Sequence, residues 1–544
     1  MTGRGWTWTA SIALAVALAA CGSDEPVAFE PTPATEPSTP GPGGLRRLTA
    51  TQYVNTVRLL FGDAAAAAAT PPADHALSGL DAIGASELAV SDLQVERYEA
   101  SAMAVANAFV ADPAAYPATL PCVPTGTTDT ACFRDYVAMV GRWAWRRPLS
   151  EDEIAGLVAL AEDAASVHDS FEQGIVYATG NLLQSPHFTY QVEVGEPTED
   201  PGVRRLTAEE LATRMAFVLL DRGPDPVLLD AAADGELDSD EGRRQIAQAM
   251  LATAEARQAF ATFIRELWRL RDLPETAKNT DTFPEWTPAV ALSAEEEVLR
   301  LVEDVVWEQR EDFRAVLTSR ESFVDEHLAP LYGLPAPAPG TWERVTLPDA
   351  QGRSGLLGTV AFLARQAHPG DSSPTRRGLF IQDRLRCILI PPPPPDVETS
   401  LPEVPEGEAL TKKELLAATH QEEACASCHE HVDPLGLALE TFDAIGRHRT
   451  TDAGKTIDTA GEVPGIGAFA DGRAVGELLA DDPRVSACLV QSLYRDAVGH
   501  LESEGEQPAL DELTARFAEA DHRVHALLLE LVTHPIFRLV GEPK

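Results

Sequence analysis

Five consecutive residues carry the strongest chemical signal in the chain: Cys425-Ala426-Ser427-Cys428-His429. Two thiols three apart can add to the two vinyl groups of one haem, and the following histidine then lies under the iron as its proximal ligand. The same residues allow two other uses. Cys425 and Cys428 could close a structural disulfide, or they could join a Cys/His metal site. A zinc site takes four ligands, however, and no second cysteine pair lies nearby. A thioredoxin-like role needs a βαβ setting that the sequence does not offer.

A second axial ligand to such a haem cannot be a nearby methionine, because the chain contains none after Met250. The candidates are His368, His420, His431, His448 and His500, and His368 is preferred, in His368-Pro369-Gly370-Asp371-Ser372-Ser373-Pro374. His431 is only two residues past His429, too close to reach the opposite face. A His/His iron has a lower potential than a His/Met iron, and an iron with one protein ligand is open to oxygen or peroxide.

Covalent haem attachment requires export, and the N-terminus fits export. Arg4 precedes an apolar run from Trp6 to Ala20 that ends in Leu18-Ala19-Ala20-Cys21. The run is shorter than a spanning helix of roughly 20 residues and suits a signal-peptide core. The segment resembles a bacterial lipobox, so cleavage before Cys21 and lipidation of its thiol are expected. Gly22 and Ser23 lack the aspartate of an inner-membrane sorting signal, which favours the outer membrane or cell surface by resemblance. Residues 24–44 then hold Pro26, Pro31, Pro33, Pro37, Pro40 and Pro42 and close on Gly41, Gly43 and Gly44. Such a stretch reads as an extended tether.

An oxidising compartment also gives the remaining cysteines a use. Cys122 and Cys132 bracket a turn-rich loop and are expected to pair. Cys387 and Cys488 then remain by elimination and could bridge the proline-rich linker to the C-terminal helices. The formal net charge of −42 argues against nucleic acid as a partner. An acidic surface suits docking to a basic redox partner protein. There is no Walker loop, GxSxG elbow or HExxH motif, and Asp452 and Asp458 lack calcium-loop spacing. Trp143 and Trp145, among Arg142, Arg146 and Arg147, read as packing and ion-pair residues.

The elements that must position these groups are helical. Capping boxes begin at Thr49, Ser91, Ser150, Thr207 and Ser293, each with Gln or Glu three residues on. Apolar residues follow at three- and four-residue spacing, as in Leu211, Met215, Val218 and Leu219. Arg46-Arg47-Leu48-Thr49-Ala50 recurs as Arg204-Arg205-Leu206-Thr207-Ala208, each opening a helix. Pro391–Pro395 reads as a stiff spacer of roughly 15 Å. The expected fold is mainly α, a set of helical bundles with a cytochrome c-like segment near the C-terminus. Its divisions are a signal peptide (1–20), a tether (21–44), helical modules at 45–115, 116–195 and 196–340, a cytochrome c-like module (341–450) and a C-terminal helical module (451–544).

Several motifs in this order resemble the planctomycete-type secreted, cytochrome-like multidomain family. They are Leu48-Thr-Ala-Thr-Gln-Tyr53-Val-Asn55-Thr-Val57-Arg58, then Gly141-Arg142-Trp-Ala-Trp-Arg146-Arg147-Pro148-Leu149. Leu182-Leu183-Gln184-Ser185-Pro186-His187-Phe188 leads a third stretch, which runs to Trp268. Ser373-Pro374-Thr375-Arg376-Arg377-Gly378 and Asp433-Pro434-Leu435-Gly436 flank the cysteine motif, and Tyr494-Arg495-Asp496-Ala497-Val498-Gly499 closes the set. The resemblance implies one haem c, with Cys425 and Cys428 as attachment points and His429 as iron ligand. It implies that Ser373-Pro374 and Asp433–Gly436 shape the haem-side pocket, and it brings no reaction or substrate. The function expected is electron transfer or haem-based redox chemistry. The alternative is a non-enzymatic cell-envelope lipoprotein in which Cys425 and Cys428 form a structural disulfide.

Overall fold

The computed structural model describes residues 38–393, 409–420 and 423–543. The signal segment, Cys21, most of the tether and the last two residues of the proline run lie outside the described residues. Within them the chain forms 22 α-helices, and its strands are short and grouped in sheets of two or three. The fold is mainly α.

Local sequence sets the helix starts. Thr49, Ser91, Ser150 and Thr207 each accept a hydrogen bond from the backbone N–H three residues on. In each case the side chain at that position reaches back to the cap. Ser293 does not open a helix. Thr287, followed by Pro288, caps the Pro288–Glu303 helix instead, and Ser293 lies buried inside it, donating to Asp325. Proline at the first helical position is preset for the turn and has no N–H to leave unpaired, so this start overrides the later box-like spacing. The repeated Arg-Arg-Leu-Thr-Ala stretch has a common form. Gly44–Arg47 and Val203–Arg205 are strands that hand over directly to capped helices.

The modules condense on two hydrophobic cores. Helices Ala50–Ala68, Asp92–Ala111, Thr130–Trp145, Glu151–His168 and Phe171–Gln184 surround the first, with Tyr53, Phe109, Phe133, Tyr136 and Phe188 at its centre. Residues 206–540 share the second, which also takes Leu80 and Ile83 from the N-terminal part. Residues on both sides of the loops at 340 and 450 contribute to this core. Phe217 belongs to the first core although its helix builds the second, and Arg146 lies 5.8 Å from its ring centroid.

The seam between the cores is polar. Glu193 is buried and takes Arg214 through two hydrogen bonds of 2.7 and 2.9 Å, with Arg46 at 3.5 Å. The end of the proline–glycine segment is docked here rather than extended into solvent. Thr39 donates to the Gly505 carbonyl, and Gly41 and Gly43 exchange backbone hydrogen bonds with Gly541. A Cβ at Gly41 would overlap the His500 ring and press on the Glu506 carboxylate, so a side chain there would have to displace both. Trp145, Arg142 and Arg147 serve the packing read from the sequence: the Trp145 indole N–H donates to the Leu182 carbonyl, Arg147 pairs with Glu153 and Arg142 with Asp230.

Candidate functional site

The cysteine motif occupies the first turns of the Glu423–Leu437 helix. Spacing of three and four residues keeps Cys425, Cys428 and His429 on one side of it. Both cysteines are half-buried. The disulfides formed among the described residues are the two expected ones, Cys122–Cys132 and Cys387–Cys488, with Cα–Cα separations of 5.6 and 5.2 Å.

Two glycines fix where this helix lies. It crosses the short Pro374–Phe380 helix at backbone contact. A Cβ on Gly378 would overlap the Val432 carbonyl, and one on Gly436 would overlap the Pro374 carbonyl. Both glycines come from the motifs that flank the cysteines, and a close helix crossing is the physical reason for them.

That crossing delivers Thr375 to Asp433. Asp433 is 6 % exposed, and its Oδ1 accepts from the Thr375 hydroxyl at 2.6 Å. Its Oδ2 is shared by His429 Nδ1 at 3.0 Å and His420 Nδ1 at 2.7 Å. The two imidazoles stack with centroids 3.5 Å apart. His420 is the C-cap of the Lys412–Thr419 helix, whose start at Thr411 is another capping box. Burial pushes the Asp433 carboxyl up, but hydrogen bonds from His429, Thr375 and His420 outweigh it and hold the group below the ordinary range. An ionised Asp433 fixes hydrogen on the Nδ1 of His429. Nε2 is then a lone-pair donor, the arrangement usual for a metal-bound histidine with a carboxylate behind it.

Behind this cluster Arg377, fully buried, holds the chain that leaves the helix. It donates to the carbonyls of Leu439, Phe442 and Asp443 and pairs with Glu440 at 3.2 Å. Glu440 also accepts from Arg449 at 2.7 Å and from the Ser372 hydroxyl at 2.9 Å. Gln382 donates to the His431 carbonyl at 2.7 Å, and Arg386 ties Gln382 to Asp482. The Cys387–Cys488 disulfide then anchors this layer to the Pro483–Val498 helix.

The other candidate histidines lie elsewhere. His368 stands exposed beside a tight turn in which its N–H donates to the Asp371 carbonyl. Partial covering of its ring, with Arg376 and Lys412 nearby, depresses its imidazole pKa. His448 packs on Phe442, His431 approaches Glu430, and His500 faces Glu506. The fold thus brings His420 to His429, and Asp433 and Thr375 complete the cluster. Asp433 was visible in the sequence only as part of a motif. Its role follows from lying four residues after His429, one helical turn away.

The residues fit a covalently held haem on chemical grounds. Two thiols share one helical face, and the adjoining histidine has its Nδ1 engaged and its Nε2 available. His420, His429 and Asp433 also present donor atoms within 4.8 Å of one another, a set that could hold a metal ion.

The site therefore belongs to a mainly helical, multidomain chain with a CxxCH helix buttressed by a buried carboxylate. Five family models match it in sequence, each described as a protein of unknown function: DUF1587 over 46–111, DUF1595 over 132–193, DUF1592 over 206–334, DUF1588 over 353–452 and DUF1585 over 467–537. Together they support the planctomycete-type multidomain family that the motifs resemble. The DUF1588 match, labelled PSCyt3, contains both cysteines, His429, Asp433 and Arg377. No curated protein and no solved structure matches the chain.

Proposed function

We propose that this chain is an exported lipoprotein carrying one haem c, attached through Cys425 and Cys428 and ligated by His429. Its role is electron transfer or haem-based redox chemistry. The observation that carries the reading is the Asp433–His429 hydrogen bond beside the paired cysteines. A structural disulfide has no need of a buried carboxylate that orients the neighbouring imidazole. When bound, the haem would supply the redox couple. The protein's part is to hold the His429 tautomer, to fix the helix through Gly378 and Gly436, and to supply donors from Thr375 and His420 that keep Asp433 ionised. The lipid anchor at Cys21 would keep the chain at the outer membrane or cell surface, and the acidic surface would favour a basic redox partner.

The test is a pyridine haemochrome spectrum of protein exported together with a haem-maturation system. A c-type band with both thiols consumed is expected. Absence of that band, with Cys425 and Cys428 joined to each other, would replace this reading with that of a non-enzymatic envelope protein.

A further inference from the structure

Three arginines line a cleft of about 240 Å³ where three of the sequence modules meet. Arg269 and Arg271 come from the central module and Arg384 from the module that holds the cysteines, while Ser78 and Gly79 of the opening module form the facing wall. The chain as a whole carries a net charge of −42, so this gathering of guanidiniums stands out against it.

The backbone is shaped to hold them there. Leu77 and Leu80 exchange backbone hydrogen bonds around Ser78-Gly79, and both turn residues are left-handed, with φ of 51° and 88°. Arg384 lies across this turn. It donates to the Ser78 carbonyl at 3.3 Å, and a Cβ on Gly79 would overlap its guanidinium. Arg384 itself belongs to the π-helical turn Ile381–Leu385, a form frequent at functional sites. Arg269 follows the Ala254–Leu267 helix and is left-handed too, with φ 56°. Glycine usually takes that position after a helix. Here a long cation takes it, against the backbone preference of an L-residue.

The ion pairs at the cleft leave positive charge over. Asp81 engages Arg271 through two hydrogen bonds, Asp272 takes Arg365 at 2.7 Å, and Asp383 approaches Arg384 Nε at 3.0 Å. The Arg269 guanidinium and the Nη2 of Arg384 have no hydrogen-bond or ion-pair partner among the described residues. Burial lowers the Arg384 pKa, and Arg269 and Arg495 lower it further against the pull of Asp383. Glu266 is the remaining acid on the wall. Burial, Asp81 and Asp496 raise its carboxyl well above the ordinary range, which favours the neutral form. Like charges held together beside a neutral acid are relieved by an anion. Guanidinium forks match the oxygens of carboxylates and phosphates. Three of them around one cleft present more donor directions than a planar carboxylate can use, and they suit a tetrahedral oxyanion.

We propose that this cleft binds a phosphate group, held by Arg269 and Arg384 with Arg271 beside them, and that the bound anion ties the opening, central and cysteine-bearing modules together. The site does not depend on the haem reading.

The experiment uses the mature full-length protein in phosphate-free buffer at constant ionic strength. Inorganic phosphate is titrated by calorimetry, with thermal unfolding followed in parallel. One phosphate per chain is expected, with Kd on the order of 1 mM or tighter. Tm should rise by about 1 °C or more in about 20 mM phosphate. Acetate should bind at least about tenfold more weakly. Glycerol 3-phosphate is the second probe: binding as tight as that of phosphate assigns the site to a phosphoryl group on an organic carrier, and weaker binding assigns it to the free ion. Arg269→Gly should leave the Tm of the anion-free protein unchanged or raised, because glycine adopts the left-handed backbone freely, and should weaken phosphate binding at least about tenfold. Arg384→Lys, which keeps the charge but loses the fork, should also weaken it. Three results overturn the proposal: no binding heat and no Tm change in the wild type, an unchanged Kd in both variants, or acetate binding as tightly as phosphate.

Discussion

Replacing Asp433 by alanine removes one acceptor from three donors at once. The three hydrogen bonds measure 2.6, 2.7 and 3.0 Å, and all go to an ionised carboxylate. Bonds to charged groups contribute about 1.5–3 kcal/mol each. Simple addition overstates the loss, since two of the bonds share Oδ2 and the His420 and His429 side chains are 16 % and 28 % exposed and can turn to water. Thr375, at the helix crossing, has less freedom to do so. A net destabilisation of about 3 kcal/mol is therefore expected, falling on the second core. Urea unfolding followed by circular dichroism should show a lower midpoint at unchanged slope. Asp433→Asn, which retains an acceptor oxygen but puts an amide donor against an imidazole donor, should lose about half as much. A change under about 0.5 kcal/mol in the alanine variant would mean that the cluster does not hold the helix.

Other expectations follow from the same geometry. Gly378→Ala and Gly436→Ala each drive a methyl into a backbone carbonyl, so each should cost at least about 2 kcal/mol in urea unfolding and reduce haem incorporation. Reduction should destabilise the protein more through Cys387–Cys488, separated by 101 residues, than through Cys122–Cys132, separated by 10. Loop entropy gives about 4.7 and 2.7 kcal/mol respectively, checked with paired serine variants. Burial raises Glu297 to about 7, against hydrogen bonds from Ser322 and Tyr332. This acid binds its proton more tightly in the folded state than the usual carboxyl does. Its contribution is full below about pH 4.3 and is lost as pH rises through 7, by about 4 kcal/mol in all. Glu297→Gln should flatten that part of the stability–pH curve. In haem-loaded protein, His420→Ala should disturb the low-spin spectrum and His368→Ala should not. The reverse result would favour the exposed His368 as ligand.

Much of this fold is legible locally. Capping boxes depend on side chains three residues apart, so four of the five expected starts are found where the sequence places them. Ser293 misleads because the decisive signal, Thr287-Pro288, lies one and a half turns earlier. The disulfides follow from counting once export is assumed. Long-range assembly is less visible. Proline–glycine clusters mark loops, but nothing local says that residues 206–540 share one core, or that Gly41 and Gly43 dock on Gly541. At the site, the cysteine motif is read directly. The roles of Arg377, Gly378 and Gly436 are not, because each depends on a partner some 50 to 60 residues away. The placing of His420 against His429 depends in turn on two helices converging on one buried carboxylate.

The central claim is that Cys425 and Cys428 carry haem and His429 binds its iron. Intact-mass analysis of the exported protein, with peptide mapping across residues 409–440, tests it most directly. The account predicts one haem per chain, bonded to both cysteines, and its loss in a Cys425→Ser/Cys428→Ser variant that still folds. A haem-free peptide with Cys425 linked to Cys428, from cells competent in haem attachment, would contradict it.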